Sequence, residues 1–181
     1  LYGGSVNATN DAILTGSTIK IDDASVTGAN VLLRGPVLGT GNLILVDYGD
    51  VEASGQLEFN LANIEADRGF LKASSSSSNI TGFISGNITL DNGAYIEAGD
   101  DIKLSFSGGS SQISLSNGSY VVSDTQQSPG TTYLNFLARS TGGILIDGRE
   151  TTDSSSGGSG FFVLDTETPA TTRAGGGLVI T

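Results

Sequence analysis

Short runs of alternating apolar and polar residues fill most of this chain. Clear examples lie at residues 56–61, 101–106 and 112–115, where every second side chain is apolar before Gly, Asn, Asp or Ser interrupts the run. Alternation with a period of two is typical of β-strands that have one buried face. No uninterrupted segment keeps apolar residues at the i, i+3, i+4 and i+7 positions of a helix. The sequence therefore predicts an all-β protein with essentially no α-helix.

The predicted strand centres recur in sets of three. The first centres of successive sets are 24, 21, 24, 25 and 31 residues apart. Three short strands in about 20 to 25 residues are what one turn of a parallel β-helix requires. We therefore predict a parallel β-helix, or solenoid, of roughly seven turns whose apolar residues form continuous inward ladders. Set by set, the centres are Ile19, Val26 and Val31; Leu43, Val51 and Leu57; Ile64, Phe70 and Ile80; Ile88, Ile96 and Ile102; Ile113, Val121 and Leu134; then Ile144.

Two features leave an alternative open. An apolar-Glu-Ala phrase occurs at 51–53, 64–66 and 96–98, and its first two copies start only 13 residues apart, so it does not fix where each turn begins. An antiparallel β-sandwich or jelly roll would also show turn signals every 8 to 12 residues, and Asn92-Gly93 and Asn117-Gly118 are typical hairpin dipeptides. The antiparallel sandwich is therefore the alternative fold.

The chain reads as a single solenoid segment over residues 1–181. Strand patterning resumes on both sides of three Ser-, Gly- or Pro-rich stretches, near 74–78, 126–132 and 153–160, which we predict to be surface loops. The chain begins at Leu1 and shows no basic segment followed by an apolar one, so we expect it to be a piece of a larger protein.

Composition removes whole classes of chemistry. The chain contains no His and no Cys, which excludes His-dependent triads, Cys nucleophiles, structural zinc sites and thiol redox sites within it. The net charge of −11, with only 8 basic residues, disfavours nucleic acid and anionic membrane surfaces as partners. The longest apolar runs have four residues, too few to insert into a membrane. Carboxylate chemistry, oxygen-ligated ions or no chemistry remain.

Neighbouring carboxylates are the candidates for acid–base chemistry of the kind that polysaccharide-active β-helix enzymes use. Acidic pairs at bends are more often turn residues, because their side chains bond to nearby backbone groups. We therefore predict no catalytic residues and a chain that is not an enzyme. The carboxylates considered are Asp22 with Asp23, Asp47 with Asp50 and Glu52, and Asp100 with Asp101.

Calcium and glycans are two further candidates for binding or modification. Asp100 and Asp101 could contribute oxygen ligands to a calcium ion, although no EF-hand loop and no calcium-binding β-roll repeat is present. We expect no cofactor apart from this calcium possibility. Four Asn-x-Ser/Thr sequons could accept glycans, but each Asn stands where a bend is expected and is better explained as a turn-capping residue. These are Asn7, Asn79, Asn87 and Asn117.

Several segments resemble a known family. Residues 133–148, 151–163, 168–171 and 175–181 look like filamentous-haemagglutinin-type exoproteins of two-partner secretion systems, and residues 3–9, 13–21 and 87–102 look like their degenerate adhesin repeats. The family's Asn-Pro-Asn-Gly-type secretion motif is absent, so the match would be to the passenger part. The resemblance implies a right-handed β-helix that is exported through an outer-membrane transporter, folds outside the cell, and serves adhesion, biofilm formation or a stalk.

The sequence thus favours a structural or adhesive segment of a large secreted bacterial surface protein. Its partners would be a host-cell, matrix or glycan surface, or like subunits. A self-assembling extracellular filament subunit, possibly dependent on calcium, is the alternative from another class. A polysaccharide-active β-helix enzyme is the third hypothesis.

Overall fold

The computed structural model describes residues 1–100, 102–106, 113–115, 119–123, 131–136, 144–146, 161–165 and 178–180. These residues form a solenoid in which the chain passes through three sheets in turn. Every pair of neighbouring strands is parallel. The all-β prediction is confirmed, the antiparallel sandwich is wrong, and no helix that could span a membrane occurs in the described part.

The first sheet has six strands and the second and third have seven each. Sheet I runs β1-β4-β7-β10-β13-β16, sheet II runs β2-β5-β8-β11-β14-β17-β19, and sheet III runs β3-β6-β9-β12-β15-β18-β20. The strands are β1 (Ser5–Asn7), β2 (Asp11–Thr15), β3 (Thr18–Asp22), β4 (Ser25–Gly28), β5 (Asn30–Arg34), β6 (Asn42–Val46), β7 (Asp50–Ala53), β8 (Leu57–Leu61), β9 (Asn63–Asp67), β10 (Phe70–Ala73), β11 (Ile80–Ile84), β12 (Ile88–Asp91), β13 (Tyr95–Ala98), β14 (Ile102–Phe106), β15 (Ile113–Leu115), β16 (Tyr120–Ser123), β17 (Thr131–Phe136), β18 (Ile144–Ile146), β19 (Phe161–Asp165) and β20 (Leu178–Ile180).

The turn count is lower than predicted. Strands β1 to β15 make five turns of three strands each, and β16 to β20 lengthen the same sheets. The expectation of roughly seven turns came from dividing the chain by the repeat, whereas bends such as 35–41 take up residues without adding a strand. Of the predicted loops, 74–78 lies between β10 and β11, 153–160 and 126–130 lie outside the described residues, and β17 begins at Thr131.

The core consists of inward ladders that run along the solenoid axis. In sheet III the predicted first centres pair in register from one turn to the next, and those of β3 to β15 are buried. Each turn thus covers the apolar residues of its neighbours, which a single turn could not do alone. The members of this ladder are Ile19, Leu43, Ile64, Ile88, Ile113 and Ile144.

Two predicted centres were misplaced. In sheet I the residue that pairs with Val51 and Ile96 is Leu71, not Phe70, so Phe70 faces outward. A shift of one residue moves a side chain to the opposite face of a strand, and two adjacent apolar residues hid this shift. In sheet II, Ile102 pairs with Thr132, two residues before the predicted Leu134.

The corners between sheet III and sheet I share a left-handed bend. The residue directly after each of four successive sheet III strands has a positive φ, between 46° and 61°. Asp and Asn tolerate this conformation better than most residues because their short side chains bond locally. The four residues are Asp23, Asp47, Arg68 and Asn92.

One inward position of sheet II is occupied by a glycine for steric reasons. Gly82 on β11 pairs with Phe59 on β8 and Leu104 on β14. The Phe59 ring is buried and lies over Gly82, and a methyl group there would come within 2.8 Å of even the third-nearest ring carbon. A glycine inside a strand often marks such a close approach.

Candidate interaction surfaces

The predicted carboxylate pairs lie at the corners that follow sheet III. Asp22 ends β3 and bonds to Lys20 at 2.8 Å, while Asp23 and Asp47 adopt the left-handed bend. The hydrogen bond from Lys20 to Asp22 also raises the pKa of the lysine. These aspartates therefore have the turn role that the sequence favoured.

Arg68 joins two successive corners. Its guanidinium contacts the carboxylates of Asp47, one turn away, and Asp67, at 3.4 Å, and it lies 5.8 Å from the centre of the Tyr48 ring. The nearby charge of Asp47 is the main reason that the pKa of Arg68 is raised. Asn92 continues the ladder by donating a hydrogen bond to Asp67 at 3.0 Å. The polar groups of this corner thus connect turns to one another.

Sheet I presents two outward rows of side chains. Phe70 and Tyr95 are paired in register, and their rings stack with centroids 4.9 Å apart and planes 12° apart. Because the stack follows the solenoid axis, each ring covers one face of the other, and those faces cannot hold a sugar. In the second row Lys72 bonds to Glu97 of the following turn at 2.8 Å. Both pairs stabilise the stacking of turns.

Asp50 is the exception on this sheet. It begins β7 between Ser25 of the preceding turn and Phe70 of the following one. Its Oδ1 atom is buried and has no hydrogen-bond partner in the described structure. Burial raises the pKa of Asp50 to about 6, against the lowering effect of a backbone hydrogen bond from Phe70. No sequence pattern distinguished Asp50 from the bend aspartates beside it.

An asparagine ladder marks the corner before sheet III. The side chain of Asn63 donates to Asn42 Oδ1 at 2.8 Å, and its own Oδ1 accepts from the backbone N–H of Asn87 at 2.8 Å. One side chain therefore bridges the turns before and after it. Asn87, a predicted glycan acceptor, takes part in this ladder through its backbone.

The other sequons have similar structural roles where they are described. Asn7 accepts a hydrogen bond from Thr27 Oγ1 at 2.8 Å, and Asn79 donates to the Ser77 carbonyl at 3.4 Å. Asn117 and Asp101 lie outside the described residues. Asp100 follows β13, and the residues that the structure describes contain no group of three carboxylates that could hold a metal ion.

A protruding loop at residues 35–41 was missed by the sequence analysis. The loop leaves the second turn after β5, yet Gly39 N–H donates to Asn60 Oδ1 at 2.8 Å and the Gly39 carbonyl accepts from Ser85 Oγ at 2.6 Å. It is therefore tied to the third and fourth turns. At its tip Val37 and Leu38 are 65% and 67% exposed. A Pro-Val-Leu-Gly stretch of this kind resembles a buried strand in sequence, which explains the omission.

The first turn leaves strand edges and apolar side chains uncovered. Strands β1 and β2 each end their sheets, so one edge of each has no described neighbour. Val6 on β1 and Ile13 on β2 are exposed, as are Leu1 and Tyr2 beside them. Unpaired edges with apolar side chains are sites at which further strands can add.

The protein is a parallel β-solenoid whose described surface consists of inter-turn ladders, one tied loop and one open end. Comparison with models of protein families, with curated proteins and with solved structures found no match. The fold class therefore rests on the strand pairing alone.

Proposed function

We propose that this chain is a structural or adhesive segment of a large secreted bacterial surface protein. The observation that carries the proposal is that outward polar side chains bond mainly from turn to turn, as in the pairs Lys72–Glu97 and Asn63–Asn42. Such ladders stiffen a repeated scaffold and suit it to hold other groups away from a surface. The family resemblance adds export through an outer-membrane transporter and folding outside the cell.

The coil is expected to be right-handed. The family resemblance implies this hand, and connections between parallel strands of one sheet are right-handed in nearly all proteins. The hand decides which side of the rod each loop occupies, and therefore how loop 35–41 is presented to a partner.

The adhesive part of the proposal centres on loop 35–41. Val37 and Leu38 are held outward on a loop whose base is fixed by hydrogen bonds to two later turns. Fixing a contact element before binding lowers the entropy cost of binding. A host-cell, matrix or glycan surface is the proposed partner.

The test is binding of the whole chain to arrays of glycans and matrix proteins and to intact cells. A variant with Val37→Ser and Leu38→Ser should lose at least tenfold in apparent affinity, because two exposed apolar side chains leave the contact. Ile13→Ser, which removes an exposed apolar side chain elsewhere, is the matched control. Binding that is equal in both variants would refute the role of the loop, and no binding on any array would leave only the stalk role.

A self-assembling filament subunit is the second candidate. The open edges of β1 and β2, together with exposed Val6 and Ile13, favour it. Sedimentation velocity over a hundredfold range of concentration, with and without calcium, should then show species larger than a monomer. A Val6→Lys and Ile13→Lys variant should remain monomeric, because inward or edge charges block strand addition. A monomer at every concentration would reject the filament.

A further inference from the structure

Asp50 is a carboxyl in a setting built to disfavour its charge. Its backbone N–H donates to the Ala24 carbonyl at 2.9 Å, which fixes the residue at the start of β7. The aromatic side chain of Phe70 occupies the next position along the same outward row, and Ser25 the previous one. One carboxyl oxygen is enclosed there without a hydrogen-bond partner in the described structure. Enclosing an ionised oxygen without a partner costs free energy in the folded state.

The charged groups around Asp50 do not compensate for this burial. Lys72, on the following strand, bonds to Glu97, and Arg68, at the following corner, bonds to Asp47 and Asp67. Glu52 on the same strand adds a repulsive charge. The groups that face Asp50 from the elements around it are Ser25 and Thr27 of β4, Glu52 of β7, Phe70 and Lys72 of β10, Asp47 and Tyr48 of the preceding corner, and Asp67 and Arg68 of the following one.

We propose that Asp50 is a pH-sensitive element of the solenoid: turns two to four are held together more firmly when its carboxyl is protonated and less firmly when it is ionised. The protonated group needs no cation, and its hydroxyl can donate to a neighbouring oxygen. The ionised group places an uncompensated charge between β4 and β10. Mild acidification therefore tightens this part of the rod.

The pH window follows from the two states of the group. In the folded chain the pKa of Asp50 is about 6, whereas an unperturbed aspartate has 3.8. Between these values the folded chain holds a proton that the unfolded chain has lost, so stability falls as the pH rises through the window. The full difference corresponds to about a hundredfold in the folding equilibrium constant. Because the second oxygen is partly in contact with solvent, which screens the charge, we expect about tenfold.

The experiment compares the wild-type chain with Asp50→Asn by urea unfolding from pH 4 to pH 8. Asparagine has nearly the same shape and stays neutral, so the variant imitates the protonated carboxyl at every pH. At pH 7.5 it should unfold about tenfold less readily than the wild type, and the two should converge near pH 4. Glu58→Gln on the exposed face of sheet II also removes one negative charge and is the matched control for the net charge of −11.

Two results would overturn the proposal. One is an equal pH dependence of wild type and Asp50→Asn between pH 4 and 7.5. The other is a carbon-13 titration of the Asp50 carboxyl in the folded wild type that places its midpoint near that of an unperturbed aspartate. The titration needs no variant, so it decides the question even if Asp50→Asn does not fold.

Discussion

Replacing Gly82 by alanine tests the packing of the solenoid core most severely. Gly82 lies in the middle of β11, with strands β8 and β14 bonded on both sides, so its backbone has little room to retreat. The added methyl group would overlap the ring of Phe59, and even the third-nearest ring carbon would lie at 2.8 Å. Contacts below about 3 Å between such carbons do not persist, so the ring or the strand must move.

The expected cost follows from two opposing effects. Overpacking a well-filled core costs about 1 to 3 kcal/mol. Alanine also reduces the freedom of the unfolded chain, which returns about 0.4 to 1 kcal/mol. Because the Phe59 ring is fully enclosed, we expect the steric cost to be at its upper end and Gly82→Ala to destabilise the protein by about 2 kcal/mol.

Urea unfolding followed by far-ultraviolet circular dichroism measures this change. The Phe59→Leu background supplies the decisive comparison, because leucine leaves room for the methyl group. In a double-mutant cycle the two changes should couple by about 1 kcal/mol or more, so that Gly82→Ala costs less when Phe59 is absent. Gly4→Ala, where the nearest atoms to the new methyl group lie at 3.8 Å, is the control and should be almost neutral. Equal costs in both backgrounds would refute the proposed contact.

Other predictions follow from the inter-turn ladders. Asn63→Ala removes two hydrogen bonds that join three turns and should cost about 1 to 2 kcal/mol in urea unfolding. Lys72→Ala should cost less than about 1 kcal/mol, because the pair with Glu97 is partly exposed, and the loss should shrink in 1 M salt; a larger loss that is insensitive to salt would contradict this. Asn92→Val should destabilise the left-handed corner by about 1 kcal/mol or more relative to Asn92→Gly, as judged by the difference in melting temperature.

Much of the fold could be predicted because the ladder residues are uniform in chemistry. The sheet III centres from Ile19 to Ile113 are apolar at every turn, so a repeat of apolar residues was enough to register them. The prediction failed at Phe70, where an outward aromatic residue precedes the inward Leu71 and both satisfy an apolar pattern. A pattern of hydrophobicity cannot tell which of two adjacent apolar residues faces the core.

The candidate surfaces were less predictable for a physical reason. The hydrogen bonds that fix loop 35–41 join Gly39 to Asn60 and Ser85, which are 21 and 46 residues away. The environment of Asp50 likewise depends on Ser25 and Phe70 from neighbouring turns. Contacts between turns are set by register, and no local sequence signal carries them.

The central claim is that strands pair in parallel with strands one full turn away. Nuclear Overhauser contacts between backbone protons test it most directly. The account predicts contacts from Hα to amide protons that connect Leu43 with Ile64 and Ile64 with Ile88. Strong Hα–Hα contacts between strands adjacent in sequence, such as β6 and β7, would show antiparallel pairing and contradict it.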